Sequence, residues 1–410
     1  MPRRSLPLLA LVTSLVLASH SASARVISPR PRPAPDPGLA VAQGVNGLGV
    51  ALYAKVRGEP GNLVFSPASI AFALGMVHGG AAGDTARELE RVLGIAADPG
   101  SAQAGFAALM KSGRAAKGIK LRIANRLWAQ KGFAFAAPFV ALTRDGYGAP
   151  LALADFVKNA EKTRVAINHW VESVTNQRIK DLLPAGSVQD AALVIVNAIW
   201  FKGEWAKKFD ARATRDLPFT LLSGDKPAVK TMALMTPAGF AHVDGVSLVE
   251  LDYKGGEMSM VCILPDDAAG LARMEERLTA DQLSTWLGAL QRHAEVDVQL
   301  PRWKAQASLP LGQLLQQLGV VQLFSEQTAD LSGMLASGEK SLHVSGAFHK
   351  AFVAVDEEGA EAAAATGMVM TTESVEPPPP VFHADHPFVW LIRDKRSGLV
   401  YFMGRVVDPR

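Results

Sequence analysis

The apolar residues of this 410-residue chain first follow a helical period. In Val41–Val56 and Ser66–Val77 they recur every three or four positions, which predicts two helices. A more polar helix is predicted over Asp84–Leu93, with Gly94 as the residue that ends it. A fourth helical pattern covers Val165–Ile179. The first part of the chain is therefore predicted to be mainly helical.

Patterns typical of β-strands begin at Ile119. Ile119–Ile123 alternates between apolar and basic residues, which predicts a half-buried strand. Ala192–Ile199 and Met258–Pro265 are almost continuously apolar, as expected for strands buried on both faces. The second run contains Cys262, the single cysteine, which we interpret as a small core residue and not as a nucleophile. Helices followed by mixed strands predict an α+β fold.

A late alanine-rich segment has two sharply different faces. Read as a strand from Ala360 to Ser374, it places both of its charges, Glu361 and Glu373, on one side. The other side carries only small or apolar residues: Ala360, Ala362, Ala364, Thr366, Met368 and Met370. The same composition also favours a helix. The residues of this segment alone leave strand and helix open.

The amino terminus has the pattern of a secretory signal. Arg3 and Arg4 precede an apolar run over 6–18, and small residues follow up to Ala24. This predicts a signal peptide over 1–24 and a secreted protein, either extracellular or periplasmic. The apolar run is too short to span a bilayer, so we expect no membrane anchor. Residues 25–40 contain prolines at alternate positions and predict an extended linker before a domain over 41–410.

Composition indicates one large folded domain. Hydrophobic residues make up 49% of the chain, enough for a sizeable core, and no interior linker or repeat divides it. The formal net charge is +3, and loss of the predicted signal peptide removes two positive charges. A balance this close to neutral argues against general nucleic-acid binding.

Motifs of enzymes are mostly missing from the sequence. There is no nucleophile elbow, phosphate-binding loop or zinc-protease helix. His383 and His386 flank Asp385, but further ligands for a metal are lacking nearby. The acidic run Asp356–Glu358 has the composition of a solvated turn. We therefore expect neither catalysis nor a cofactor or metal.

Several motifs together resemble the serpin family of protease inhibitors. Residues 342–359 resemble the hinge that precedes the family's reactive loop, and 388–409 resemble its last strands. Further segments match the family in order along 41–410: Asn62–Ile70, Ile167–Pro184, Leu193–Trp205, Ala329–Gly333 and Phe402–Arg405. The resemblance implies helices packed around a large mixed β-sheet and two smaller sheets, with an exposed reactive loop.

The resemblance also implies a mechanism. A serine protease, or in some cases a cysteine protease, cuts the loop and becomes acylated, and the freed loop inserts into the large sheet and traps the enzyme. Insertion adds about a dozen residues to the sheet, with hydrogen bonds worth ~1 kcal/mol each. The native state is then a kinetic trap. Fast insertion needs small residues on the entering face, and Ala360, Ala362 and Ala364 meet this need.

Three groups of residues acquire roles from the resemblance. Without the resemblance, the polar residues among them would be interpreted only as buried side chains whose hydrogen bonds are satisfied. The predicted hinge comprises Glu357, Gly359, Ala360, Ala362, Ala364 and Thr366. The predicted shutter, which controls opening of the sheet, comprises Ser66, Ser69, Asn197 and His349. The predicted breach, where the loop begins to insert, comprises Trp205 and Glu357, with Arg302 as the partner of Glu357 although a lysine is common at that position.

The reactive bond follows from the usual loop length. Seventeen residues counted from Glu357 place it between Glu373 and Ser374, so that Glu373 would enter the primary pocket of a glutamate-specific protease. Prolines 377–380 lengthen the far side of the loop by about three residues compared with the family. Thr372, Met370 or Val375 remain alternatives, and they suit elastase-like or chymotrypsin-like pockets.

Two other functions remain open from the sequence. A non-inhibitory serpin would act as a carrier, chaperone or storage protein, but bulky or charged hinge residues are expected there. A polyanion partner is indicated by a basic run that is otherwise typical of a solvated face: Lys111, Arg114, Lys117, Lys120, Arg122 and Arg126. We expect a monomer that binds its target protease.

Overall fold

The computed structural model describes residues 36–95, 98–358 and 378–410 of the chain. Its described part contains nine α-helices: α1 Pro37–Val56, α2 Pro67–His78, α3 Gly83–Leu93, α4 Pro99–Ala115, α5 Ala137–Ala141, α6 Ala160–Val174, α7 Gly270–Arg277, α8 Ala280–Gly288 and α9 Leu311–Gln317. A π-helical turn covers Leu142–Gly146, and 3₁₀ turns cover Gln322–Phe324 and Ser332–Met334.

Fourteen strands complete the described part of the chain. They are β1 Leu63–Phe65, β2 Ile119–Gln130, β3 Ala152–Ala154, β4 Leu193–Gly203, β5 Arg215–Pro218, β6 Ala228–Val243, β7 Val246–Asp252, β8 Met258–Pro265, β9 Gln291–Pro301, β10 Trp303–Leu309, β11 Val344–Val355, β12 Val381–His383, β13 Phe388–Asp394 and β14 Val400–Val406. The α+β prediction is confirmed. The strand predicted over Met258–Pro265 has the predicted bounds.

Helix α1 begins earlier than the sequence predicted. Pro37 lies at its first position, and the carboxylate of Asp36 accepts a hydrogen bond from Gly38 N at 2.8 Å. Residues 37–40, predicted as the end of the linker, are therefore helical. By length and composition α1 could cross a membrane, but half of its apolar stretch is buried inside the domain, as in a core helix.

The five-stranded sheet has the order β10-β11-β4-β2-β3. Strands β4 and β11 run parallel, whereas β4 and β2 run antiparallel. Side chains of β4 alternate between two buried layers: Ile195 and Ile199 face the main core, and Val194 and Val196 lie in a second cluster with residues of α6. Burial on both faces explains why the sequence of β4 is apolar almost throughout.

The other sheet has nine strands, in the order β1-β14-β13-β8-β7-β6-β9-β12, with β5 beside β6. The resemblance implied a large sheet and two smaller ones. The sheet into which it places the loop, with Leu193–Trp205 as its central strand, is here the five-stranded one, and the remaining strands form one continuous hydrogen-bonded sheet. The cause is β6, whose 16 residues pair with β5 near one end and with β7 near the other, while β9 follows the opposite edge. One long strand thus joins what would otherwise be separate sheets.

Helix α2 lies between the two sheets. All twelve of its residues are buried, and it packs against β2, β4 and β14. The hydroxyl of Ser66 accepts a hydrogen bond from Ser69 N at 3.0 Å and so caps the helix. The start of α2 is thereby fixed against the middle of the five-stranded sheet.

Helix α6 covers the other face of that sheet, but not over the predicted residues. It spans Ala160–Val174, five residues earlier than the predicted Val165–Ile179. Ile167 and Val171 are buried in the cluster beneath it. Asn176 and Gln177 have positive φ angles of 51° and 62°, which stop the helix.

Candidate functional site

A row of polar side chains crosses the five-stranded sheet. In the strand register Asn197 of β4 lies opposite His349 of β11 on one side and opposite Asn125 of β2 on the other. Asn197 and His349 are completely buried, as are Ser66 and Ser69 at the start of α2. The structure thus brings together all four residues of the predicted shutter, and it adds Asn125.

Hydrogen bonds tie this row to α2. The amide of Asn197 donates to the Ser69 hydroxyl at 2.6 Å and to the Ser69 carbonyl oxygen at 2.9 Å. Asn125 donates to the same carbonyl oxygen at 3.3 Å. On the other side Ser66 N donates to His349 Nε2 at 3.1 Å. We call these five residues the shutter cluster.

The contacts of His349 define its protonation. Because Ser66 N–H can only donate, Nε2 of His349 must be an unprotonated acceptor. The proton of a neutral imidazole then lies on Nδ1, which donates to Asn197 Oδ1. Burial lowers the pKa of His349 to about 3, because the charged imidazolium would lose its hydration. His349 is therefore neutral at physiological pH.

The bond between His349 and Asn197 crosses the seam between β4 and β11. A strand inserted between these two strands would have to break it. At this seam, in the middle of the sheet, β4 and β11 pair in parallel, and parallel pairs are slightly less stable than antiparallel ones. The arrangement can therefore act as a latch on the line along which the sheet would open.

Past one end of the seam, Trp205 holds the chain that follows β11. Its indole Nε1 donates to the carbonyl oxygen of Asp356 at 2.9 Å. The ring of Trp205 stacks on that of Tyr253, with centroids 4.6 Å apart and planes inclined by 7°. The backbone nitrogen of Phe209 donates to the carbonyl oxygen of Glu357 at 3.0 Å. The predicted breach residues Trp205 and Glu357 thus lie side by side.

The carboxylate of Glu357 is 6% exposed and has two partners. Thr214 Oγ1 donates to Oε1 at 2.6 Å, and Arg302 Nε lies 3.4 Å from Oε2. The Arg302 side chain is about half exposed, so water screens this predicted ion pair. Thr214 is the stronger contact by distance, and no motif in the sequence indicated it.

The pairing between β4 and β11 ends before either strand does. Its last pair joins Val353 to Phe201, although β4 continues to Gly203 and β11 to Val355. Beyond that pair the two central strands are no longer hydrogen-bonded to each other. The sheet is therefore open at the end where the chain continues to Glu357.

The segment between Glu358 and Pro378 lies outside the described residues. It contains the predicted reactive bond, Glu373–Ser374, and most of the predicted hinge: Gly359, Ala360, Ala362, Ala364 and Thr366. The chain returns at Pro380, whose carbonyl oxygen accepts a hydrogen bond from Asp297 N at 2.8 Å, and continues into β12 of the other sheet.

The predicted basic run contains four exposed cations and one that is half-buried. Four of its side chains are exposed, namely Lys111, Lys117, Lys120 and Arg122. Arg126 instead lies over the rings of Trp170 and Trp128, at 4.4 and 5.5 Å from their centroids, and burial lowers its pKa. It is a packing residue between β2 and α6 and not part of the solvated face.

The histidines near β12 have other partners than a metal. His383 lies 3.1 Å from Asp297, and His386 contacts both Asp385 and the carbonyl oxygen of Pro265. Within the described residues no group of three or more metal-ligating side chains occurs.

Comparison with curated proteins finds close relatives along most of the chain. Leukocyte elastase inhibitor of Bos taurus is 41% identical over 358 residues, covering 85% of this chain and 93% of that protein. Antithrombin-III of Mus musculus is 38% identical over 364 residues, covering 87% of this chain and 78% of that protein. These relatives favour protease inhibition over the carrier, chaperone or storage alternative.

The leukocyte elastase inhibitors among the relatives contradict the predicted localisation. Leukocyte elastase inhibitors are intracellular serpins that lack a signal peptide. The prediction that this protein is secreted is therefore wrong.

Solved structures agree with the fold. Uncleaved ovalbumin has a TM-score of 0.81 at 28% identity, covering 90% of this chain and all of that one. Serpin48 of Tenebrio molitor has a TM-score of 0.80 at 29% identity, covering 90% and 98%. The family model described as serpin (serine protease inhibitor) matches residues 43–409. With this match and the relatives above, the chain belongs to the serpin family.

Proposed function

We propose that this protein inhibits a serine protease as a suicide substrate, without turning over as an enzyme itself. The observation that carries the proposal is the open end of the β4–β11 seam beside Glu357. A loop that starts at Glu357 enters there without first breaking a backbone ladder. The alanine-rich face that follows it in the sequence has no proline or charged residue to obstruct entry.

The energetics support insertion after cleavage. A strand that enters between β4 and β11 replaces one parallel ladder with two antiparallel ladders. For a dozen residues the gain is on the order of 10 kcal/mol, because each added hydrogen bond contributes ~1 kcal/mol net. Against this stands the latch between His349 and Asn197, which the entering strand must break. The trapping mechanism requires that the inserted state be lower in free energy and that a local barrier delay insertion, and both conditions hold here.

Two observations bear on which loop residue enters the primary pocket of the protease, and they favour different residues. The count from Glu357 favours cleavage after Glu373 by a glutamate-specific protease. The relatives named leukocyte elastase inhibitor favour an elastase-like protease, for which Met370, Thr372 or Val375 would be presented. Both target classes are serine proteases that accept an exposed extended loop.

One experiment tests the inhibition and identifies the bond. The purified protein is incubated with an elastase, a chymotrypsin and a glutamate-specific protease, and complexes stable in detergent are sought on gels. Mass spectrometry of the carboxy-terminal fragment then reads the cut: a start at Ser374 supports Glu373, and a start at Thr371, Glu373 or Glu376 supports an alternative. Cleavage by all three enzymes with no stable complex would refute inhibition.

A sulfated polyanion is a second proposed partner of the monomer. Lys111 lies about one turn before the end of α4 and Lys117 follows the helix, and both side chains are exposed and can contact sulfates. Retention on a heparin column should weaken in Lys111→Gln. Elution of the unaltered protein at low salt would argue against this partner.

A further inference from the structure

Three lysines form a row across the five-stranded sheet, near the open end of the β4–β11 seam. In the strand register Lys120 of β2 lies directly opposite Lys202 of β4, and Lys304 of β10 lies opposite Ala354 of β11. Lys202 and Ala354 each come one residue after the last pair of the seam, so the three lysines lie on one line across the sheet. We call Lys120, Lys202 and Lys304 the lysine row.

The lysine row is on the outer face of the sheet. Side chains alternate along β4, so Lys202 has the same orientation as Val194 and Val196, which belong to the cluster beneath α6 and not to the main core. Lys120 and Lys304 are exposed, and Lys202 is half-buried. The row therefore meets water, beyond the part of the sheet that α6 covers.

The positive charges of the row lack a close partner. Within the part of the chain that the structure describes, none of the three lysines forms a hydrogen bond or an ion pair. Glu204, just beyond β4, is bound to Lys254 at 2.9 Å. This hydrogen bond lowers the pKa of Glu204, and Lys120 adds only a smaller Coulombic attraction. Like charges directly opposite each other in a sheet are destabilising, so a carboxylate beside Lys202 would relieve its repulsion with Lys120.

The entering loop brings a carboxylate to this level of the sheet. It starts from Glu357 at the open end of the seam, so we expect its first residues to settle beside the last paired positions of β4 and β11. The face with Ala360 and Ala362 enters over the core, because burial of an unpaired charge is costly. Glu361, between them, then has the outward orientation of the lysine row. Neighbouring strands lie about 4.8 Å apart, which places Glu361 beside Lys202, either directly opposite or on the diagonal.

We propose that the lysine row binds the carboxylate of Glu361 as the loop enters the sheet, and so speeds insertion after cleavage. Lys202, on the strand next to the inserted one, is the direct partner. Lys120 and Lys304 lie one strand further away on either side, about 10 Å from Glu361, and add a weaker attraction. Lys202 is thus a positioning residue for the trapping reaction, an inference that rests on the inhibitory function proposed above.

A cycle of charge reversals tests the pairing. The wild type is compared with Glu361→Lys, with Lys202→Glu and with the protein that carries both changes, using one serine protease. Each single reversal sets like charges side by side and slows insertion relative to deacylation. The ratio of cleaved inhibitor to trapped protease should therefore rise about fivefold, the size expected for an exposed ion pair. The double reversal sets opposite charges together again, and its ratio should return to near the wild-type value.

The controls separate this pair from surface charge in general. Lys226→Glu makes the same change at an exposed lysine in the turn between β5 and β6, and the ratio should stay at the wild-type value. Sodium chloride at about 1 M shortens the Debye length to about 3 Å and should shrink the differences within the cycle. No recovery in the double reversal would overturn the pairing. Equal effects of Lys202→Glu and Lys226→Glu would overturn it too, as would differences that persist undiminished in high salt.

The inserted state is compared separately, without trapping. The four proteins of the cycle are cut in the loop by an excess of protease, and the thermal midpoints of the cut forms are measured by calorimetry. Cut wild type and cut double reversal should melt at higher temperatures than either cut single reversal, and four equal midpoints would overturn the pairing. A protein that traps no protease but shows this order of midpoints would contradict the proposed function and leave the pairing standing.

Discussion

Acidification should unlatch the shutter cluster through His349. The neutral ring accepts from Ser66 N at Nε2 and donates to Asn197 at Nδ1. A second proton would occupy Nε2 and oppose the Ser66 N–H group, so protonation breaks the link between β11 and α2. The cause of the lowered pKa is burial alone, with no charged neighbour contributing.

The direction and the size of this pH effect on native stability follow from the pKa values of His349 in the unfolded and native states. The unfolded chain takes up a proton at His349 as the pH falls through the ordinary value of 6.5, whereas the native state does so only at about 3. The unfolded state therefore binds more protons between these values, and native stability falls as the pH falls. From pH 7 to pH 5 the loss from this one group is about 2 kcal/mol.

Urea unfolding at a series of pH values measures this loss as a change in the free energy of the first unfolding transition, the one in which the native state is lost as urea rises. In His349→Gln the amide can still donate to Asn197 and accept from Ser66, but it does not titrate. The loss between pH 7 and pH 5 should therefore shrink by about 2 kcal/mol. His169→Gln, at an exposed position of α6, is the control and should retain the wild-type loss. An undiminished loss in His349→Gln would refute the reasoning.

Three further predictions concern the loop and the breach. Ala362→Arg should turn the inhibitor into a substrate, because a charge on the entering face slows insertion, while Ala363→Arg on the opposite face should still form stable complexes; equal complex yields would show that the faces are misassigned. Cleavage within 368–375 should raise the thermal midpoint in calorimetry, and equal midpoints for intact and cleaved protein would argue against insertion. Thr214→Val should lower the free energy of the first urea transition by about 2 kcal/mol, since the Glu357 carboxylate loses a charge-assisted hydrogen bond; Thr214→Ser should retain it, and a loss as large in the serine variant would contradict this role.

The elements with strong burial patterns were predictable from the sequence. Met258–Pro265 was predicted to the residue, because a strand buried on both faces is apolar from end to end. Helix α6 was misplaced by one and a half turns, since its first turn, in which Arg164 forms an ion pair with the exposed Glu161, has no large apolar residue to indicate it. Helix α4 was not predicted, because its alanines and glycines give little periodicity.

The site was predictable only in part. The segments that resemble serpin motifs predicted Asn197, His349 and Trp205, because each of these residues lies within such a segment. Asn125 was missed, although it falls on the same alternating face of β2 as Ile119 and Ile123, and a polar residue on that face was the available signal. Thr214 carries no such signal, because it meets Glu357 across 143 positions of the chain.

Cutting the reactive loop does not divide the molecule. Strands β12, β13 and β14 all follow the loop, yet β13 lies between β8 and β14, and β14 lies between β13 and β1. Buried Arg405 on β14 is also bound to Glu275 at 2.9 Å. The carboxy-terminal piece therefore remains as a non-covalent subunit, and nicked protein should migrate as one particle under native conditions. The piece should separate only in denaturant, and an isolated amino-terminal piece would lack β13 and β14, the strands that join β8 to β1 and that it needs to refold alone.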